Sequence, residues 1–433
     1  MKHTLKISIA TLSLVCASAY AQDATFDPRA LAMGGTGVTT SDNSNAVFHN
    51  AAMLASSKQD DSFTIEAPVF SVRLLDPQSM QNDITTLNND STAMQNALNA
   101  FTTSQAAGNV PQMQIDAAVA VAALNKFNGS VSAISGKNVS AGLFGGTVLS
   151  LPSARYAFSL LIDGRAEVAA QFNYSPNDQA VFAALSNDVN ICAGLTPATP
   201  AQVAAACTNV NAGGGKVNGL TSSVEVRGFI AKDFGIAVAR HFDDFYGLDI
   251  GLVPKYSVYS TFDVKQNPQS NTTLTSSQVK KDFGAFGMDA GVAKTFQREA
   301  DTQIKAGLAI KNLIPSSGTT ALGNRIEAKP LATLGVSYET PKTSSGIDLD
   351  LTPNKAMLTG FSKDAQYVRL GAEFDAWRWA QIRIGYRHDI KGNYPGLPSI
   401  GLGLSPFGIH ADLSVAAASK KEAAISLQTG FRF

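Results

Sequence analysis

The sequence predicts an all-β protein, a transmembrane antiparallel β-barrel of about fourteen strands. Three observations lead there. Segments of strict period-two alternation recur along the chain, most plainly in its C-terminal half. After residue 21 no apolar run approaches the roughly 18 residues of a membrane-spanning helix. That excludes a multi-helix membrane protein and leaves a barrel open, whose signal is alternation. The chain also opens on an export signal. Lys2, His3 and Lys6 form a basic stretch, Ile7 to Cys16 a short apolar core, and "ASAYAQ" a cleavage site after Ala21. Residues 1–21 therefore read as a signal peptide. Cys16 lacks a lipobox, because Ser13 and Val15 stand where a Leu and a small residue belong.

The strands follow from their patterns. In "AISLQTGFRF", Ile425, Leu427, Phe431 and Phe433 alternate with Ser426, Gln428, Gly430 and Arg432. "AQIRIGYRHD" sets Ile382, Ile384 and Tyr386 against Arg383, Arg387 and Asp389, and "YVRLGAEFDAW" sets Val368, Leu370 and Phe374 against Arg369, Glu373 and Asp375. "TQIKAGLAIK" repeats the pattern. A soluble sandwich is the alternative, but an exported chain of amphipathic strands has no evident soluble core. A closed barrel satisfies both faces, with lipid outside and a polar lumen inside. The segments are 62–74, 139–151, 155–173, 221–241, 247–265, 281–297, 302–313, 328–341, 346–352, 366–377, 379–390, 398–405, 408–417 and 423–433. The fourth reads as one long strand bulged at Lys232-Asp233. With this count, short connections gather at one end and long ones (75–138, 174–220, 266–280, 314–327, 353–365) at the other. Trp377 and Trp379 flank a tight turn, as in an interfacial aromatic belt.

Two external insertions, 76–128 and 177–218, carry helical signals. Asp76-Pro77 is a helix start ahead of Met80, Ile84, Leu87, Met94, Leu98 and Phe101. A second helix starts at Pro111, and "PAQVAAAC" is a short third. Cys192 and Cys207 are the two cysteines of the mature chain and read as a disulfide in an exported protein, closing a loop worth about 3 kcal/mol. The domain division is 1–21 signal peptide, 22–58 N-terminal plug, and 59–433 barrel.

Candidate chemistry is sparse. Lys+Arg 34 balances Asp+Glu 34, which gives no footprint for nucleic acid. Charged residues are 16%, below the roughly 25% of a soluble domain. Gly34, Gly35 and Gly37 in "AMGGTGVTTSD" do not make a phosphate loop, because no strand precedes them and no Lys follows. His49, His241, His388 and His410 share no metal-ligand spacing, and His49 reads as a hydrogen-bonding histidine. No catalytic residues, metal site or cofactor are expected. The inward charges Arg369, Glu373, Asp375, Arg383, Arg387, Asp389 and Arg432 predict cross-strand ion pairs in the lumen, which brace the wall or a plug.

A family resemblance adds to this. "RALAMGGTGVTTSDNSNAVFHNAAMLA" (29–55), "DPQ" (76–78), "GLVPKYSVYSTFDV" (251–264), "GAEFDAWRWAQIRIGYRHDI" (371–390), "GLGLSPFGIHADLS" (401–414) and "GFRF" (430–433) resemble the barrel family named for the conjugal-transfer protein TraF, related to the FadL-like fatty-acid and hydrocarbon transporters. The resemblance spans nearly the whole mature chain. It implies that residues 22–58 form a hatch inside a fourteen-stranded outer-membrane barrel, with Gly34, Gly35, Gly37, His49, Asn50 and Ala51 in its motif. The family's Asn-Pro-Ala is Asn50-Ala51-Ala52 here. The function implied is passive passage of hydrophobic small molecules, with no enzymatic activity. The alternative is a surface component of conjugative transfer without transport. The partners expected are outer-membrane lipid and the barrel assembly machinery, which would read the terminal Phe433.

Overall fold

The computed structural model describes residues 27–56, 63–153, 155–212, 220–267, 275–299, 301–375, 379–419 and 421–432. The signal peptide, Trp377 and Phe433 lie outside the described residues. Sixteen strands follow in chain order: β1 (Thr64–Leu75), β2 (Asn138–Leu151), β3 (Ala157–Asn173), β4 (Ser223–Phe242), β5 (Leu248–Gln266), β6 (Lys280–Glu299), β7 (Thr302–Lys311), β8 (Ser316–Thr319), β9 (Arg325–Ala328), β10 (Leu331–Glu339), β11 (Thr343–Asp350), β12 (Tyr367–Asp375), β13 (Ala380–Asp389), β14 (Leu397–Leu404), β15 (Ile409–Ala418) and β16 (Glu422–Arg432). Fourteen close into one antiparallel barrel, with β16 paired to β1, while β8 and β9 form a separate hairpin.

Period-two alternation decides which face of each strand is which. Outward positions carry exposed Leu370, Ile384, Leu402, Leu413, Ile425 and Phe431. Inward positions next to them carry buried Arg369, Arg383, Asp412, Ser414, Ser426 and Gln428. An exterior of exposed aliphatic and aromatic side chains around a polar interior matches hydrocarbon outside, not water. Trp379 is exposed. Strand β4 differs from expectation in one respect: it pairs with β3 in a single register from Asn173↔Ser223 to Ala157↔Ala239, without a bulge at Lys232-Asp233. Asp233 simply points inward in phase with its neighbours. Register shifts fall instead in β1, between Glu66 and Val69 on both sides of the strand, and in β6, between Gln297 and Glu299.

The two barrel ends are unlike. Connections at 243–247, 340–342 and 405–408 are short, and β1 begins at that end. At the other end the chain builds helices: α3 (Met80–Ala106) and α4 (Val110–Ile134) after β1, then α5 (Pro176–Cys192) and α6 (Pro200–Asn211) after β3. Four of their starts have side-chain acceptors. Asp76 accepts from the Met80 and Gln81 amides, Asn109 from Gln112, Ser175 from Asp178, and Thr199 forms a capping box with Gln202. The helices share a core that includes Met94, Phe101, Leu124, Phe127, Phe182 and Val189. The first insertion runs to Ile134, past the expected 128, and α5 fills the start of the second helical insertion, 177–218, ahead of the short helix expected across "PAQVAAAC". The Cys192–Cys207 disulfide joins α5 to α6.

Two further connections at this end turn inward. The stretch 351–366, expected as an external loop, buries Met357, Leu358 and Phe361. The β8–β9 hairpin, also expected as loop, buries Ile326 and Ala328 in the same cluster.

Candidate functional site

The site lies in the lumen, where residues 27–56 cross the inner wall. Local chemistry shapes this segment. Asp27 caps α1 (Pro28–Ala32) by accepting from the Ala30 amide at 3.0 Å, and Pro28 supplies a preset φ at its first turn. Gly34 and Gly35 then take φ of +69° and +91°, the left-handed region that glycine enters freely, and the chain turns. A short α2 (Ala46–His49) follows, then a 3-10 turn over Ala51–Leu54, capped by Asn50 accepting from the Ala52 amide.

Eight consecutive barrel strands each offer this segment one inward glycine. A Cβ at Gly401 of β14 would stand 2.5 Å from the Ala32 Cβ. One at Gly385 of β13 would strike the backbone of Met33 and Gly34, and one at Gly371 of β12 would lie 2.6 Å from the Met33 Cβ. Gly346 of β11 faces Thr40, Gly335 of β10 faces Val38 at 2.6 Å, and Gly307 of β7 faces Thr39 at 3.0 Å. Gly291 of β6 faces Asn50, and Gly251 of β5 faces Ala51 and Ala52. The segment thus runs across the strands in near-sequential order, with its backbone against the wall at Gly385, Gly371 and Gly251 and its short side chains against it at the other five. Any side chain at these wall positions would displace it.

Polar contacts pin the first half. Arg29 forks onto Glu373 at 2.9 and 3.1 Å. Asp348 accepts from the Gly37 and Val38 amides at 2.8 and 3.0 Å. Ser399 donates to the Ala32 carbonyl and accepts from the Gly34 amide, and Ser337 donates to the Thr39 carbonyl. Asp42 pairs with Arg432 at 3.2 Å. Asp27 is fully buried, contacting Asn45 at 2.9 Å and His49 Nε2 at 2.6 Å. Burial acts to raise the Asp27 carboxyl, yet the His49 imidazole and the donors from Ala30 and Asn45 hold it below its ordinary value. The second half is held mainly by apolar packing. Val47, Phe48, Met53 and Leu54 pack with Phe144, Val148, Leu161 and Val253, and Phe48 meets Phe144 edge-on at 5.5 Å. Its polar ties include the His49–Asp27 contact already described, Asn50 donating to the Val38 and Val292 carbonyls, and Lys311 donating to the Val47 carbonyl at 3.5 Å.

The motif residues are therefore spread along the segment. Gly34 and Gly35 form its turn, with Gly35 over the Arg369 side chain, and a Cβ at Gly37 would strike the His49 ring. Asn50 and Ala51 rest on the Gly291 and Gly251 seats. The seven predicted charges all face inward but do not form one chain of pairs. Glu373 and Arg383 meet across β12 and β13. Arg369 forks onto Asp350 at 2.6 and 3.2 Å, Arg383 also reaches Asp412, and Arg387 and Arg73 share Glu422. Asp389 instead accepts from the amides of Gln366, Lys391, Asn393 and Tyr394, shaping the β13–β14 connection. Asp375 lines a polar cavity of about 330 Å³ at the short-turn end, with Ser41, Asp42 and Ser344. The partners Asp350, Asp412, Glu422 and Arg29 went unread in the sequence. Asp350 and Asp412 lie in expected strands and Glu422 one residue before the expected 423–433, but nothing local marks which arginine each would meet.

A second region went unread as well. Toward the long-loop end Phe229, Tyr259 and Phe283 point inward and pack with Met357, Leu358 and Phe361. Tyr259 stacks on Phe283 with ring centroids 4.8 Å apart. Arg227 ties the inserted loop to the wall: it donates to the Thr359 carbonyl at 2.7 Å, pairs with Asp263 at 3.1 Å and lies over the Phe361 ring. Asp263 also accepts from Thr320 and Asn324 of the hairpin connection.

The family model described as "F plasmid transfer operon, TraF, protein" matches residues 47–350. The chain belongs to this family. A comparison with curated proteins finds no match. Among solved structures, the TraF-family chain is similar to the toluene transporter TbuX of Ralstonia pickettii, with 14% identity, 94% of this chain and 98% of that chain covered, and a TM-score of 0.49. It is also similar to the toluene transporter TodX of P. putida, with 9% identity, 94% and 98% covered, and a TM-score of 0.44.

Proposed function

We propose that this chain is an outer-membrane barrel through which hydrophobic small molecules pass without an energy source, and that residues 22–58 act as its plug. The observation that carries the reading is the inward aromatic cluster Phe229, Tyr259 and Phe283, faced by Met357, Leu358 and Phe361. A water-filled pore has a polar lumen. Aromatic rings turned into the barrel find favourable surroundings only against one another or against an apolar solute. The exposed aliphatic exterior supports placement in lipid, with the short turns on the periplasmic side and the helices outside the cell. The C-terminal alternating stretch ending in Phe433 is the part we assign to the barrel assembly machinery.

A second reading, an interaction component of conjugative transfer, is favoured by the helical insertion. It has its own core and disulfide, and α4 exposes Ile115 and Val119. The test is a gene deletion scored two ways. Loss of labelled naphthalene uptake by intact cells, restored by the wild-type chain and not by a Phe229→Asp, Phe283→Asp chain, supports the channel. Unchanged uptake overturns it, and a fall in mating frequency alone selects the second reading.

A further inference from the structure

The glycine seats cover β5, β6, β7 and β10 to β14, and they end there. On these strands the wall side is bare backbone, and the segment meets it with its own backbone at Gly385, Gly371 and Gly251 and with the short side chains of Ala32, Val38, Thr39, Thr40 and Asn50 at the other five, whose rotation frees little space. Inward glycines elsewhere face other groups: Gly146 of β2 meets Asp163 and Phe144, Gly235 of β4 meets Val253 and Lys255, and Gly430 of β16 meets Glu66 and His410. Toward β2 and β3 the contact is made by side chains. Phe48 lies edge-on to Phe144, within a buried cluster that holds Val148 and Leu161. Side chains change rotamer far faster than a backbone seated on eight strands can lift.

We infer that residues 32–52 stay seated while solute passes, and that the passage runs between the segment and strands β1 to β3, with Phe48 against Phe144 as its closing contact. This rests on the channel reading above. Beyond that contact the wall carries charge on β3 and β4, where Arg165 pairs with Asp233 at 3.6 Å. On β1 the inward charges Glu66 and Arg73 are paired with His410 and Glu422. Between them Val69 packs with Phe144 and Val148 of β2, and this short apolar stretch is the track we assign to the solute.

The experiment uses the full chain in the outer membrane of the deletion strain, with folding checked by heat-dependent gel mobility. Phe48→Ala with Phe144→Ala widens the contact, and naphthalene uptake rises at least threefold. Phe144→Trp fills it, and uptake falls at least threefold. Uptake unchanged in the folded Trp variant overturns the passage, whether or not the double-alanine variant folds. Seating is read separately, from a Thr36→Cys chain that also carries Cys192→Ser and Cys207→Ser. Its maleimide labelling stays slow when naphthalene is added, and a threefold acceleration overturns the seating. If the unmodified chain takes up no naphthalene, the channel reading and the passage fall together, while the Thr36 labelling still reports whether the segment is seated.

Discussion

The two halves of the luminal segment lie on the same ring of glycines but are held by different forces. Residues 27–45 are fixed by directional contacts: the Arg29–Glu373 fork, Asp348 on two amides, and Asp27 on Ala30 and Asn45, with the Asp27–His49 pair joining the two halves. Residues 46–55 are fixed mostly by packing of Val47, Phe48, Met53 and Leu54 on an apolar wall. A charged wall with matched partners sets position and register. An apolar wall supplies adhesion without direction. The inner surface of this barrel is therefore not uniform, and its apolar patch around Val69, Phe144 and Val148 on β1 and β2 is the part suited to an apolar guest.

The sharpest way to break the comparison is to remove what the halves share. Gly385→Val would drive a side chain into the Met33–Gly34 backbone. We expect hydrogen exchange to show loss of all protection over residues 32–40. Gly164→Ala, where a Cβ would meet nothing closer than 3.9 Å, leaves protection intact. Arg29→Met comes next. It strips one partner from part-buried Glu373 while Arg383 remains, a loss of about 2 kcal/mol, read as faster exchange over 27–45 with little change over 46–55. Phe48→Ala should do the reverse, costing about 3 kcal/mol with exchange rising over 46–55. If either variant loosens both halves equally, the segment is one cooperative unit and the contrast is one of chemistry only.

The smallest effect is that of pH. The Asp27 carboxyl is held below its ordinary value of 3.8. Its contribution is therefore complete above that value and is lost as pH falls through the lower, folded one. Exchange protection of residues 27–45 should be flat from pH 7 to 5 and should drop on acidification below the ordinary value. Asp27→Asn should flatten that drop. A drop of equal size in the Asn variant would assign the effect to other acids.

Much of the barrel was legible because alternation is a local property. Ile382, Ile384 and Tyr386 against Arg383 and Arg387 declare a two-faced strand without reference to any neighbour. The count of fourteen followed, as did the sorting of short and long connections. The Asp76, Pro111 and Pro200 signals placed three helices, while α5 lay within the helical insertion 177–218 without a start of its own being assigned, although Ser175-Pro176 is the same kind of start. The β8–β9 hairpin was missed because four-residue strands are too short to show a period.

The site was legible only as a set of residue types. Alternation says that Arg369, Arg383 and Arg387 face inward, yet their partners Asp350, Asp412 and Glu422 lie 19, 29 and 35 positions away in sequence. Which acid meets which arginine depends on strand register and on barrel closure. The eight glycine seats are the plainer case. In sequence they are scattered residues, one per strand. Only closure of the sheet brings them to one level, and only then does the chain from Ala32 to Ala52 have a surface flat enough to lie against. By itself the sequence determined which face of each strand meets lipid, because that rests on neighbours two residues apart. The tertiary structure decided what the inner face holds, because that rests on residues hundreds of positions apart being set at the same height.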